Sequence, residues 1–249
     1  MVSQRNLTSL LRGWGNDLLD LIYPPHCANC GAIGAWLCDD CCATIPWISY
    51  PFCERCGRPQ IQGGLCVVCQ SQPTYLKMAR SLSPHEGALR KAVHGLKYQG
   101  VRALAPTLAD LLARGWRRYG LEADLIVPAP LAPLREQQRG YNQAALLALA
   151  LGKQVQISVE TGILLRVRET QSQVGLSGPE RWQNVFGAFE CQQGVGGMRV
   201  LVLDDVYTTG ATLQACGAAL LQGGASDVSA LTLTRALDRI SLRQQAEIF

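Results

Sequence analysis

The stretch that decides the fold of this chain runs Val200-Leu201-Val202-Leu203-Asp204-Asp205-Val206-Tyr207-Thr208-Thr209-Gly210-Ala211-Thr212. Four apolar residues predict a buried strand, two carboxylates follow at its carboxyl end, and a threonine-rich turn opens a helix. Backbone N–H groups at a helix N-terminus form a cradle for an anion, and Gly210 lets the backbone approach a phosphate closely. The neighbouring carboxylates can accept hydrogen bonds from sugar hydroxyls. An ordinary capped helix is the simpler alternative, but two acids and three threonines exceed what capping requires, so a phosphorylated ribose is the predicted ligand.

From residue 124 onward, apolar runs alternate with helical segments. Candidate strands lie at 125–127, 163–167, 200–203 and 228–234, and candidate helices at 142–151 and 211–222. This alternation predicts an α/β fold with a mostly parallel sheet flanked by helices, whose ligands bind beyond the carboxyl ends of the strands. Residues 73–120 are interpreted as a connection followed by two helices. The polar stretch 168–184 has no clear periodicity and is typical of a lid or a binding loop.

Nine of the 11 cysteines lie between residues 27 and 69, and eight of them form C-x-x-C pairs. The pairs are Cys27 and Cys30, Cys38 and Cys41, Cys53 and Cys56, and Cys66 and Cys69. Two such knuckles complete a closed tetrahedral Zn²⁺ site. Two structural zinc sites are therefore predicted, with redox dithiols or disulfides as the alternative. Sequential and interleaved pairing of the knuckles both remain open, and Cys42 or His26 could replace a neighbouring ligand.

The composition is that of a globular protein. The chain has 249 residues, 48% hydrophobic and 17% charged, with a mean hydropathy of +0.07, which excludes a largely disordered chain, a coiled coil and a collagen. The longest apolar run, at 144–151, is well short of the roughly 18 residues that a membrane-spanning helix needs. No membrane insertion is expected. The start of the chain lacks the pattern of a secretory signal. Paired cysteines in a chain without such a signal favour a cytoplasmic protein with bound metal.

The basic surplus belongs to the C-terminal part of the chain. Residues 1–75 carry 4 basic and 5 acidic side chains, whereas residues 76–249 carry 19 and 14. This distribution suits an anionic substrate or a weak nucleic-acid contact.

Three segments are predicted along the chain. Residues 1–25 contain an amphipathic helix, since Leu7, Leu10, Leu11, Trp14, Leu18, Leu21 and Ile22 recur at helical spacing. Residues 26–72 are the cysteine-rich zinc-binding segment. Residues 73–249 form the α/β domain.

Residues 201–212 resemble the phosphoribosyl pyrophosphate (PRPP) signature of type I phosphoribosyltransferases. Residues 20–235 resemble, more specifically, the competence protein F (ComF) family. The segments that carry the second resemblance are the cysteine pairs after Tyr23-Pro24-Pro25-His26, Gly95-Leu96-Lys97-Tyr98, Val127-Pro128-Ala129-Pro130, Arg139-Gly140-Tyr141-Asn142-Gln143, and Gln173 through Glu180-Arg181-Trp182-Gln183-Asn184-Val185. The resemblance implies a small N-terminal double zinc ribbon followed by a type I phosphoribosyltransferase-like domain, in a family associated with uptake of transforming DNA by bacteria.

The resemblance also implies roles for individual residues. Asp204 and Asp205 would hold the ribose 2′ and 3′ hydroxyls, and residues 127–130 would lie near the pyrophosphate. The residues expected to bind the 5′-phosphate are Thr208, Thr209, Gly210, Ala211 and Thr212. The candidates for positive charge near the pyrophosphate are Arg139, Lys97 and Arg181. Mg²⁺ would be held mainly by oxygens of PRPP, and the 168–184 stretch would correspond to the flexible catalytic loop.

Two functions follow as expectations from the resemblance. One is transfer of phosphoribosyl from PRPP to an unidentified acceptor, in connection with DNA uptake in natural competence. The other is a non-catalytic competence factor that senses PRPP or binds single-stranded DNA or a DNA-uptake protein.

Overall fold

The computed structural model describes residues 24–72, 74–168 and 187–237. The predicted N-terminal helix, nearly all of the polar stretch 168–184, and Arg181 lie outside these ranges.

Five parallel strands form the main sheet. They are β1 (Met78–Pro84), β2 (Leu125–Pro128), β3 (Ser158–Val159), β6 (Arg199–Tyr207) and β7 (Asp227–Arg235), and their order across the sheet is β1-β7-β6-β2-β3. Two further strands, β4 (Leu164–Arg166) and β5 (Phe189–Cys191), pair antiparallel in a separate two-stranded sheet. The helices are α1 (Asp39–Ala43), α2 (Val67–Ser71), α3 (Gly87–Tyr98), α4 (Leu104–Arg118), α5 (Pro133–Arg139), α6 (Gln143–Val155) and α7 (Ala211–Gln222).

Helices cover both faces of the main sheet, as the sequence predicts. Along β6, Leu201 and Leu203 join a core built with α3, α4 and α6. Val200 and Val202 point the other way, into a core built with α7. A parallel strand buried on both faces reads as a continuous apolar run rather than an alternating one, which is why residues 200–203 are all apolar.

Two strand assignments differ from the sequence interpretation. Residues 73–120 contain strand β1 before the two expected helices. The strand lacks an apolar pattern because Arg80, Ser81 and Ser83 interrupt it. Ser81 Oγ lies 2.7 Å from Thr232 Oγ1 on β7, and Arg80 Nη2 donates to Glu54 O in the cysteine-rich segment. Residues 163–167 were expected in the parallel sheet, but β4 instead pairs with β5 across the polar stretch.

The cysteine-rich segment packs along β1, the edge strand of the sheet. Ile48 N donates to Leu82 O at 2.7 Å, and Ala79 N donates to Arg55 O at 2.7 Å. Apolar residues of this segment, such as Leu37 and Ile45, share the core that contains α3 and α4. The segment therefore covers an edge that would otherwise expose unpaired backbone groups.

No helix in the described ranges combines the length and the apolar content needed to cross a bilayer.

Candidate phosphoribosyl-binding site

The predicted site residues lie together at the carboxyl edge of the main sheet. Strand β6 ends at Tyr207, and a three-residue turn leads into α7 at Ala211. Asp204 and Asp205 occupy the last part of β6, so the sequence prediction of two carboxylates beside a helix N-terminus agrees with the geometry. Pro128, at the end of β2, pairs with Leu203 of β6, which brings the 127–130 segment beside the two acids.

Asp205 is buried and ion-paired. Its side chain is 3% exposed, and its Oδ1 lies 2.9 Å from Lys97 Nζ, in the last turn of α3. The other carboxylate oxygen, Oδ2, is buried and has no hydrogen-bond partner in the described structure. Burial lowers the pKa of Lys97, but Asp205 and Asp204 together outweigh that effect, and the net pKa is raised. Lys97 was expected near the pyrophosphate, and the structure shows its ammonium beside Asp205.

Asp204 is half-buried and differs from Asp205 in its partners. Its Oδ1 accepts a hydrogen bond of 2.8 Å from the backbone N–H of Asp205. Burial, followed by the negative charge of Asp205, raises the pKa of Asp204, and the more distant Lys97 only partly offsets this. The two adjacent carboxylates therefore differ electrostatically. Asp205 is paired with a cation, whereas Asp204 can accept a proton or a hydrogen bond from a hydroxyl group.

The turn before α7 is shaped around Gly210. Its φ of +82° lies in the left-handed region, and a Cβ at this position would collide with the Tyr207 hydroxyl. Thr209 Oγ1 accepts a 3.4 Å hydrogen bond from Ala211 N, and Thr208 is exposed. Only glycine combines this conformation with this close approach, so the sequence prediction for Gly210 has a physical basis in the turn.

Positive charge and an exposed ring line a pocket that is connected with Asp205 through Lys97. Lys97, Tyr98, Arg135, Gln138 and Arg139 line this pocket, which has a volume of about 520 Å³. The Arg139 guanidinium lies 5.5 Å from the centre of the Tyr98 ring. The structure thus brings together two of the predicted cations, Lys97 and Arg139, and adds Arg135.

Sequence reasoning missed Tyr207 and Arg235, which pack against the turn that precedes α7. Arg235 is 3% exposed, and its guanidinium lies 3.9 Å from the centre of the Tyr207 ring. Arg235 is the last residue of β7, one position beyond the predicted strand 228–234. The signal available in the sequence was an arginine directly after the predicted strand.

The cysteines form two clusters with the pairing that follows the chain. The ligand atoms of Cys27, Cys30, Cys38 and Cys41 lie within 4.8 Å of one another, as do those of Cys53, Cys56, Cys66 and Cys69. None of the 11 cysteines is in a disulfide. Interleaved pairing is therefore wrong, and neither Cys42 nor His26 belongs to a cluster.

The sulfur spacing fits zinc. Sγ atoms of Cys30 and Cys38 are 3.7 Å apart, and those of Cys56 and Cys66 are also 3.7 Å apart. A tetrahedral ion with Zn–S distances of about 2.3 Å requires sulfurs about 3.8 Å apart. Backbone N–H groups donate to Cys27 and Cys53, as thiolate ligands require. Burial raises the pKa of both thiols, yet these hydrogen bonds outweigh it and lower the pKa of Cys27 to about 6 and that of Cys53 to about 7.

Comparisons with known proteins identify the zinc-binding segment and find relatives that match most of the chain. Residues 18–70 match the model of the double zinc ribbon domain. DNA utilization protein YhgH of Salmonella typhimurium is 32% identical over 226 residues, which is 87% of this chain and 100% of the relative. Competence protein F of Haemophilus influenzae is 33% identical over 210 residues, which is 80% of this chain and 90% of the relative.

Among solved structures, a glutamine PRPP amidotransferase from B. subtilis is 23% identical with a TM-score of 0.37. The match covers 53% of this chain and 26% of that longer chain.

Proposed function

We propose that this chain, which belongs to the family of competence protein F and DNA utilization protein YhgH, binds PRPP and transfers its phosphoribosyl group to an acceptor. The observation that carries the proposal is the arrangement at the end of β6. A half-buried carboxylate, a buried carboxylate with an unpartnered oxygen, and a glycine-shaped helix N-terminus follow one another there. These are the groups that a phosphorylated sugar with two neighbouring hydroxyls requires.

The two acids have distinct roles in this proposal. A ribose hydroxyl donates to Oδ2 of Asp205, which is buried without a partner, because a buried acceptor left unpaired is costly. The second hydroxyl donates to Asp204. Lys97 lies 2.9 Å from Asp205 and supplies the opposite charge beside this buried carboxylate.

The remaining groups bind the two phosphate ends of PRPP. The 5′-phosphate binds to N–H groups and hydroxyls of residues 208–212. The pyrophosphate lies between residues 127–130 and the cationic pocket lined by Arg135 and Arg139. Mg²⁺, when bound, neutralises pyrophosphate oxygens and is held mainly by oxygens of PRPP.

Catalysis in this site rests on position and charge. The bond from C1′ to pyrophosphate breaks, and its electron pair leaves with pyrophosphate. An acceptor atom then donates its lone pair to C1′ and loses a proton. Asp204 and Asp205 hold the ribose hydroxyls in position for this step, and Arg139 stabilises the departing anion. The relatives named for competence and DNA utilization support a place for this reaction in the handling of incoming DNA.

Calorimetric titration of Mg-PRPP tests the proposal. We expect binding to the wild type and no detectable binding to the double variant Asp204→Asn/Asp205→Asn. Asp124→Asn is the matched control, because Asp124 also pairs with a cation, Arg199, but at the opposite edge of the sheet. Absence of binding to a folded wild type that holds two zinc ions per chain contradicts the proposal.

Transfer itself is measured by release of pyrophosphate when bases, amines or nucleic acids are offered with Mg-PRPP. Binding of PRPP without release for any acceptor would favour the alternative of a PRPP sensor.

One observation favours single-stranded DNA binding as a second candidate function. Tyr98 is 68% exposed, and its ring lies 4.9 Å from the His94 ring and 5.5 Å from the Arg139 guanidinium. Arg90 and Lys91 continue the positive charge along α3, where they line a neighbouring pocket with His94. Exposed aromatic rings flanked by cations bind single strands by stacking and phosphate contacts.

Single-strand affinity measured over a range of salt concentrations tests this second function. Arg139→Gln should weaken binding and reduce its salt dependence, whereas Arg117→Gln, at an exposed arginine at the end of α4, should change the affinity little. Tyr98→Ala should weaken binding at all salt concentrations. Equal effects of Arg139→Gln and Arg117→Gln would contradict a defined binding surface.

A further inference from the structure

We infer that the second cysteine cluster holds the phosphate-binding turn in place through Arg235 and Tyr207, and that the first cluster does not. The inference concerns positioning and rests on the proposed function for the part that involves PRPP. It assigns a role to two residues of the sheet and distinguishes two clusters that have the same ligands.

The chain of contacts begins at the metal-binding knuckle of Cys53 and Cys56. Arg235 Nη1 donates a 2.6 Å hydrogen bond to the backbone carbonyl of Cys56. The bond is buried, and Arg235 reaches it from the carboxyl end of β7. Because a buried guanidinium without an acceptor is costly, the position of the knuckle fixes the position of this side chain.

Arg235 in turn fixes Tyr207. The guanidinium stacks on the Tyr207 ring at 3.9 Å from its centre, a favourable cation–π geometry. The backbones are also linked, since Tyr207 pairs with Arg235 in the sheet and Ala236 N donates to Tyr207 O at 2.9 Å. Tyr207 is 5% exposed, so its ring has little freedom to move.

Tyr207 finally supports the turn. Its hydroxyl is the atom nearest to the place where a Cβ of Gly210 would stand, so the backbone of Gly210 rests on the end of the ring. Thr208 and Thr209 line a small cavity of about 60 Å³ together with Arg235 and cysteines of the second cluster. The turn and the second cluster therefore line the same cavity.

Two further bonds anchor the same knuckle without reaching the turn. Arg80 Nη2 donates to Glu54 O at 2.9 Å, and Ala79 N donates to Arg55 O at 2.7 Å. Three successive carbonyls of the knuckle are thus bound by the sheet, and Arg235 provides the one bond that continues to Tyr207.

The first cluster makes its contacts elsewhere. Lys91 of α3 donates to Asn29 O at 3.1 Å, and Cys27 and Cys41 pack in the core that contains α3 and α4. Among the described residues, the cavity beside the phosphate turn is lined by cysteines of the second cluster and by none of the first. Loss of the first metal should therefore leave the turn in place.

The variant Arg235→Met tests the path from knuckle to turn. We expect it to weaken binding of Mg-PRPP about tenfold, equivalent to about 1.4 kcal/mol, and to speed amide hydrogen exchange of residues 208–212 while zinc content stays at two ions per chain. Arg80→Met is the matched control, since it releases the same knuckle without touching Tyr207, and its effect on both readouts should be small. Arg235→Lys keeps the charge and should recover most of the affinity.

The inference would be overturned if Arg235→Met bound Mg-PRPP as tightly as the wild type and showed the same amide hydrogen exchange of residues 208–212. Equal effects of Arg235→Met and Arg80→Met would also overturn it, because general loosening of the knuckle would then explain both. If Arg235→Met does not fold, Tyr207→Phe provides the test, because it removes only the hydroxyl beside Gly210. We expect it to speed amide hydrogen exchange of residues 208–212, and unchanged exchange counts against the inference.

The two clusters are compared with Cys69→Ser and Cys30→Ser, each of which should lower the zinc content by one ion. Only Cys69→Ser should speed exchange of residues 208–212 and weaken PRPP binding, and equal effects of the two variants would contradict the inference. The exchange measurement requires no PRPP. Failure of the wild type to bind PRPP would therefore refute the proposed function. The positioning role of the second cluster would still be tested by the amide hydrogen exchange of residues 208–212.

Discussion

Removing the ammonium group of Lys97 should destabilise this protein far more than removing an ordinary surface lysine. The Asp205 side chain is 3% exposed and that of Lys97 is 19% exposed, so the 2.9 Å pair is largely desolvated. Lys97→Met keeps the length of the side chain and leaves a buried carboxylate without its counter-charge. Breaking a buried pair in this way costs about 3–5 kcal/mol.

The double variant Lys97→Met/Asp205→Asn leaves no buried charge. Its loss of stability should therefore be smaller than the sum of the two single losses, with a coupling energy of about 2 kcal/mol. Because the folded-state pKa of Lys97 is raised above 10.5, the stabilisation is fully present below pH 10.5 and is lost only as the pH rises through the raised pKa. Measurements near neutral pH thus report the whole effect.

Urea unfolding with zinc present measures these free energies. Lys77→Met is the matched control, since Lys77 pairs with Asp227 at 3.2 Å but is 57% exposed, and an exposed pair contributes about 0–1 kcal/mol. Equal losses for Lys97→Met and Lys77→Met would refute the reasoning, because burial would then add nothing to the pair.

Further predictions concern the second acid, the clusters and the turn. Because burial and then Asp205 raise the pKa of Asp204 above 3.8, the folded state holds this proton more tightly than the unfolded state. Stability should therefore fall as the pH rises above 3.8 toward the raised pKa, and Asp204→Asn should flatten that slope in urea unfolding at several pH values. Metal analysis should find two zinc ions per chain in Cys42→Ser and one in Cys41→Ser, because only Cys41 is in a cluster; equal zinc contents would contradict the assignment. Gly210→Ala places a side chain at a φ of +82°, so it should lower stability by about 1–2 kcal/mol and abolish PRPP binding in calorimetry. Gly196→Ala, which has open space around its Cβ, should do neither.

The parts of the fold that could be predicted from the sequence are those in which local pattern and tertiary environment agree. Residues 200–203 are apolar because both faces of β6 are covered, and the helix 211–222 begins and ends where the pattern places it. The cysteine spacing predicts the zinc clusters, because two knuckles suffice for a closed site. Strand β1 was missed, since polar residues interrupt its apolar pattern and the partners of Arg80 and Ser81 lie on remote segments.

The parts of the site that could not be predicted depend on contacts between remote segments. No local pattern shows that Lys97 pairs with Asp205, because a lysine in the last turn of a helix is explained equally well by the helix dipole. Nor does any spacing connect Arg235 with Cys56, which are 179 residues apart. The sequence identifies the chemical groups of the site, but packing decides which of them are paired with an opposite charge or a hydrogen-bond partner.

The cysteine-rich segment and the sheet provide hydrogen-bond partners for each other's buried polar groups. Of the large apolar side chains in residues 24–72, only Leu37, Ile45 and Ile48 are buried, so metal binding supplies much of the folding free energy of this segment. The buried arginines of the sheet, Arg80 and Arg235, find acceptors on the carbonyls of Glu54 and Cys56. Because these carbonyls lie in a metal-binding knuckle, the two guanidinium groups have these acceptors only when the knuckle is formed. The zinc segment is therefore part of the structure that shapes the carboxyl edge of the sheet, rather than a module tethered to it.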